Sequence, residues 1–203
     1  MYWVNDGFTA GQLTDDETGI IITSIAPATN TLTVNVTFPN NIADNAAAYQ
    51  DMKATISGGD LAEDIVVNFG SDDVALVDNA YTFTQELTEN TTYTVTISGA
   101  GYRTARYSVN MAEDKILTFW NNVMDEAKVI ETGKTTGAVT TNFLAGDIVA
   151  DNNINIYDLS AVVSYFGTIN VTDAASQYAK YDLNRDGVID SKDVALVLVS
   201  WNN

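Results

Sequence analysis

The sequence predicts a multidomain chain: an all-β sandwich of the immunoglobulin-like class, followed by a small all-α module made of two loop–helix (F-hand) repeats. Two observations predict it. Between residues 31 and 120, short runs suited to strands recur seven times, separated by Gly, Asn and Asp clusters. Beyond residue 146, two oxygen-rich segments of about 12 residues repeat at an offset of 35, and each leads into an apolar helical pattern.

Residues 1–20, with Gly7, Gly11, Gly19 and the acidic run Asp15, Asp16, Glu17, have no sustained periodicity and are expected to form an N-terminal extension. From Thr31, the apolar Leu32, Val34, Val36 and Phe38 alternate with Thr31, Thr33, Asn35 and Thr37, the period-2 signature of a half-buried strand. Further strands are expected at 54–57, 65–69, 80–84, 93–98, 106–111 and 116–120, with residues 43–52 as a loop or a short helix. The segment Leu87-Thr-Glu-Asn-Thr-Thr-Tyr93 followed by Val95 and Ile97 resembles a tyrosine corner, in which the phenol bonds back to upstream backbone; an ordinary hairpin with a core-facing aromatic is the other reading. Residues 128–131 and 139–143 can both be extended. A boundary near Thr141 gives a β module over 21–140 and an α module over 141–203, in close contact because no long Gly/Ser linker separates them.

Composition narrows the chemistry. The 46% hydrophobic content can fill real cores, while 9 basic against 27 acidic residues leave a net charge of -18, the wrong sign for a nucleic-acid partner. Histidine and cysteine are absent, so Ser-His-Asp and Cys-His nucleophiles, zinc and Fe–S sites and disulfides are excluded. Carboxylates and amides remain, and these are ligands for hard cations. No run of about 20 apolar residues suits a membrane span. The N-terminus has no basic-then-apolar leader, so a secreted form is expected to carry its signal upstream of residue 1.

The repeats carry that cation chemistry. In the second loop, Asp182, Asn184, Asp186, Asp190 and Asp193 hold positions 1, 3, 5, 9 and 12; Gly187 makes the turn at position 6 and Val188 offers its carbonyl at position 7. Alternate residues of a tight loop can all turn inward, which surrounds Ca²⁺ with its 6–8 oxygens. Ile189, at position 8, fits the apolar slot expected to pair the two loops. In the first loop Asp147, Asp151, Asn155 and Asp158 hold positions 1, 5, 9 and 12 and Asn153 the carbonyl position, but Val149 replaces the donor at position 3 and Asn152 takes the turn. Either a weaker Ca²⁺ site or a degenerate loop without metal follows. Leu159, Val162, Val163 and Phe166, with Val194, Val197, Leu198 and Trp201, form helical stripes expected to be core. Ala195, Leu196 and Val199 make the last helix apolar nearly all round, and Leu196 and Val199 are read either as buried within the chain or as facing a partner. Thr172 is the expected N-cap of a short connecting helix.

A duplicated loop–helix with Asp at position 12 and no clear entering helix resembles the dockerin family of cellulosome-forming bacteria over roughly residues 143–203. Phe143-Leu-Ala-Gly-Asp-Ile-Val is similar to the opening of the type II group, in which position 3 of the first loop is often apolar. The resemblance implies two Ca²⁺ ions, no catalysis, and as partner a type II-like cohesin of an anchoring scaffoldin. It places recognition on loop positions 10 and 11, here Ile156, Tyr157, Ser191 and Lys192, and on the helix faces through Leu159, Val163, Ser164, Leu196 and Val199. Because Ile156 and Tyr157 do not match Ser191 and Lys192, a single binding orientation is expected. By its position and strands the β module resembles the X module that accompanies many type II dockerins, where it stabilises the dockerin and extends the cohesin contact; the implied setting is extracellular, at the cell surface. Two rivals stand against this reading. A calcium sensor or buffer with an adhesive β domain lacks entering helices and a Met-rich groove here, and a glycosidase would need a sugar cleft that the few strands and aromatics and the scattered acidic residues of the β region do not build; polysaccharide binding by the β module would have Trp3 and Trp120 as its stacking platforms.

Overall fold

The computed structural model describes residues 13–14, 21–22, 26–38, 51–70, 74, 76–77, 80–119, 129–131, 143–169, 171 and 176–201. The expectations for residues 1–10, Trp3, Trp120, Thr141, Thr172 and most of 43–52 fall outside them. Strands β1 (Leu13–Thr14) and β2 (Ile21–Ile22) pair with each other as an antiparallel ladder. Ten further strands make two five-stranded sheets.

The first sheet is built on β3 (Thr29–Thr37), where the alternation seen in the sequence becomes alternating burial of Leu32, Val34 and Val36. It pairs antiparallel with β7 (Ala80–Thr88) and parallel with β10 (Lys115–Phe119); β6 (Leu76–Val77) and β11 (Val129–Glu131) lie at the edges. The second sheet is antiparallel throughout: β5 (Ile65–Asn68), β4 (Lys53–Gly58), β8 (Thr92–Gly99), β9 (Gly101–Asn110) and β12 (Leu144–Asp147). All seven expected strands form. β9 begins five residues before the expected start, and β12 was not expected.

The Tyr93 bond back to upstream backbone is present. The Thr88 N–H donates to the Tyr93 hydroxyl (3.1 Å), which donates in turn to Asp60 (2.5 Å). Bonds from Thr88 and Tyr93 hold the Asp60 carboxyl below its usual range.

Two α-helices close the chain, α1 (Ile156–Ser164) and α2 (Ser191–Ser200), with a 3₁₀ turn at Ala179–Tyr181. Both helices pack on β12 and on each other. The buried residues form a single cluster that runs from Val34, Ile56 and Leu117 through Phe143, Leu144 and Ile148 to Val162 and Val197. Phe143 sits at the join, stacked on Tyr102 (5.2 Å between ring centres) and edge-on to Phe38. The expected close contact between the two halves is therefore a shared interior.

The helical stripes are only half core. Val162 and Val197 are buried and Leu159, Val194 and Trp201 half-buried, but Val163, Phe166 and Leu198 are exposed. A stripe spanning more than 100° cannot all face one thin support, and each helix rests on little more than β12 and its neighbour. Leu196 is half-buried against the core and Val199 exposed.

Phe143→Ala removes a fully buried ring and is expected to cost about 3–5 kcal/mol. In urea unfolding followed by both the β and the α circular-dichroism signals, the two should shift together; movement of the helical signal alone would mean separate cores.

Candidate functional site

The two 12-residue loops fold to the same pattern. At position 1, one oxygen of Asp147 accepts the Asp151 N–H (3.0 Å) and the other the Asn152 N–H (3.0 Å); Asp182 accepts from Asp186 (3.2 Å) and Gly187 (2.9 Å) in the same way. At position 12, one oxygen of Asp158 accepts the N–H groups of Ile148 and Val149 and the other that of Asn155. Asp193 repeats this with Leu183, Asn184 and Asp190. Positions 4 and 6 take positive φ in both loops: Ala150 (60°) and Asn152 (66°), then Arg185 (57°) and Gly187 (89°). Asn152 thus enters the left-handed region, as the sequence suggested.

Each loop also starts its helix. Asn155 and Asp190, at position 9, are N-caps that accept from the N–H of Tyr157 (2.9 Å) and Lys192 (2.7 Å), and position 12 completes a capping box. An acidic residue in the first helical turn also suits the helix dipole.

Asp158 and Asp193 are fully buried, and Asp147 and Asp182 nearly so. Burial raises the pKa of Asp147 and Asp193 and pushes Asp182 up to about 7, against the lowering effect of their backbone bonds. Asp186 goes the other way: burial is outweighed by its bonds from Lys192 (2.6 Å) and Asn184 (2.9 Å). Asp151 receives the Asn153 N–H (2.8 Å), and Val149, at position 3, is 50% exposed.

The Ile189 backbone bonds to Thr168 and Gly167 behind α1, beside an Ile169–Val188 bridge, and its side chain lies in the shared core with Ile154 of the first loop. The first loop is bound to β9 through β12. Among the described residues no three acidic side chains converge on one point.

The donor set nonetheless fits a hard dication. Its candidate donor atoms are all oxygens at alternate positions, and Asp182 and Asp186 already interact with the cations Arg185 and Lys192.

Sequence reading missed the seam that holds these loops to the second sheet. The Tyr102 hydroxyl donates to the Leu183 carbonyl (2.5 Å), the Thr104 N–H to Asn152 Oδ1 (3.2 Å), and Arg185 Nη2 to Asp51 Oδ2 (3.0 Å) and the Ala100 carbonyl (3.1 Å). Gly101 (φ 83°) lets the backbone pass close to Lys180, because a Cβ there would stand 2.5 Å from the Lys180 carbonyl oxygen. No local sequence signal marks Arg185 or Tyr102 for this role, since their partners lie more than 80 residues away.

Of the residues expected to meet a partner, Ile156, Tyr157 (70% exposed), Val163, Ser164, Ser191, Lys192 and Val199 are exposed, while Leu159 and Leu196 are half-buried. Ser164 donates to the Ser160 carbonyl and Lys192 is engaged with Asp186. Phe166, Ile169 and Leu198 add exposed apolar area that was not anticipated at the surface.

Known proteins are similar to this chain at both levels. Residues 145–198 match the dockerin type I domain family. Cellulosomal-scaffolding proteins B and A of Acetivibrio thermocellus are each 36% identical over 75 residues, 35% of this chain; the match spans 9% and 4% of their lengths. Among solved structures, one chain each from an N-terminal and a C-terminal interface mutant of the type II cohesin–X-dockerin complex of Acetivibrio cellulolyticus matches with TM-scores of 0.54 and 0.53. Identities are 23% and 22%, and each match covers 86% of this chain and 96% of the other, which establishes a common fold.

Tyr102→Phe leaves the buried Leu183 carbonyl without its donor and is expected to cost about 1–3 kcal/mol. Thermal denaturation reads this directly; an unchanged midpoint would show that the seam bond contributes nothing.

Proposed function

We propose that this chain, an X-dockerin pair in fold with its dockerin at residues 145–198, is a non-catalytic assembly module. Calcium orders the two loops, and the helices that follow dock onto a cohesin, attaching the parent scaffoldin or enzyme to a cellulosome or cell surface. The observation that carries the reading is the twofold loop geometry, in which four acidic side chains are buried at equivalent positions directly ahead of two helices with exposed apolar faces.

One Ca²⁺ is held by Asp147, Asp151, Asn155 and Asp158 with the Asn153 carbonyl, and a second by Asp182, Asn184, Asp186, Asp190 and Asp193 with the Val188 carbonyl. The ions supply charge neutralisation; the chain's own residues supply the turn, the capping boxes and the seam. Lacking a donor at Val149, the first loop is the weaker site. Metal bound only to the native state stabilises it by mass action, so the dockerin half depends on calcium.

Ile156, Tyr157 and Val163 on α1, with Val199 on α2, are the proposed cohesin contacts, and Leu159, Ser164, Ser191, Lys192 and Leu196 flank them. The two repeats present different residues at positions 10 and 11, which favours one orientation. Type II-like specificity is supported by the apolar Val149 and by the type II complexes among the structural neighbours. Stabilisation of the dockerin by the β module, of the immunoglobulin-like class, is supported by the shared interior and the seam bonds. An extracellular setting follows from the scaffolding relatives.

Chelation should produce a large loss of helical circular dichroism, restored by calcium; an unchanged spectrum contradicts the reading. In calorimetry, Asp182→Ala should cost more calcium affinity than Asp147→Ala, whereas equal losses would show equivalent loops. Tyr157→Ala with Val163→Ala should weaken capture of a type II cohesin by on the order of tenfold or more, and binding at full strength would remove α1 from the interface.

A further inference from the structure

The second loop touches the β half through a residue that is no ligand. Arg185 stands at position 4, between Asn184 and Asp186, with φ of 57°, the left-handed conformation that Ala150 also takes in the first loop. Its side chain is 3% exposed, and its guanidinium reaches across the seam to Asp51 and the Ala100 carbonyl. The first loop has Ala150 at the equivalent position, which offers no such tether.

We infer that Asp51 and Arg185 are positioning residues for the ion of the second loop, so that through this pair the β half tunes the calcium affinity of that loop and not of the first. The inference rests on the calcium reading given above.

Charge supplies the reason. The guanidinium lies close enough to interact with Asp182, the first ligand position, and a fixed cation there opposes the arrival of a dication. Asp51 is ion-paired with the guanidinium and offsets its charge. The same pair anchors the side chain of position 4, between Asn184 and Asp186, to the β half. Asp51 thus acts on the site through charge and through anchorage, while contributing no oxygen to it.

The test is calcium calorimetry on the full chain in the Asp147→Ala background, which isolates the second loop. Asp51→Asn should weaken binding by on the order of tenfold, the scale of typical intersite coupling. Asp51→Glu, which keeps the charge, should recover most of the loss. Arg185→Lys should also weaken binding, because the shorter lysine side chain ends its ammonium one bond short of the Nη2 that reaches both Asp51 and Ala100. In the complementary Asp182→Ala background, Asp51→Asn should leave the first loop unchanged.

Unaltered affinity in both Asp51→Asn and Arg185→Lys would overturn the inference while leaving the calcium reading intact, as would equal losses in Asp51→Asn and Asp51→Glu. Absence of any calcium heat in the unmodified chain would overturn the calcium reading and the inference with it. Should Asp51→Asn not fold, as judged by near-ultraviolet circular dichroism, Arg185→Lys decides: wild-type affinity overturns the inference and a loss supports it.

Discussion

A carboxylate is costly to bury, and among the described residues the α half holds four buried aspartates. Asp147, Asp158, Asp182 and Asp193 each spend their oxygens on backbone N–H groups of their own loop. Those bonds set the turn, and the turn sets the first residue of the helix that follows. The loop and the helix are thus one unit: position 9 caps the helix and position 12 belongs at once to the loop interior and the first helical turn. Backbone dipoles offset only part of the burial, as the raised pKa of Asp182 shows. The dication proposed for these loops would complete the balance, which ties the metal and the fold of this half together.

The β half enters the same balance from outside. Its contribution is an interior continuous with that of the helices and a short stretch of chain, residues 99–104, that grips both loops at positions carrying no ligand. The strand β12 makes the join literal, since Asp147 is both its last residue and position 1 of the first loop. A helix pair of this size has too little interior to fix itself, and the sheet supplies the missing wall.

Much of this was legible in the residues. Threonine alternating with Val and Leu announces half-buried antiparallel strands, and the 35-residue offset of the loops survives even where Val149 and Asn152 break the motif. What was not legible depends on distant partners. Leu144-Ala-Gly-Asp147 has no alternation and becomes a strand only because β9 lies beside it. Val163 and Phe166 obey helical spacing yet face solvent, because spacing reports a stripe and not how much of it a neighbour covers. Nothing in the residues around Arg185 marks it as buried, and only the tertiary fold places it against Asp51.

Anomalous scattering from a crystal of the full chain grown with calcium tests the central claim most directly. The account predicts two calcium peaks, one within residues 147–158 and one within 182–193, the second at higher occupancy when calcium is limiting. Well-ordered α1 and α2 with no calcium density in either loop would contradict it.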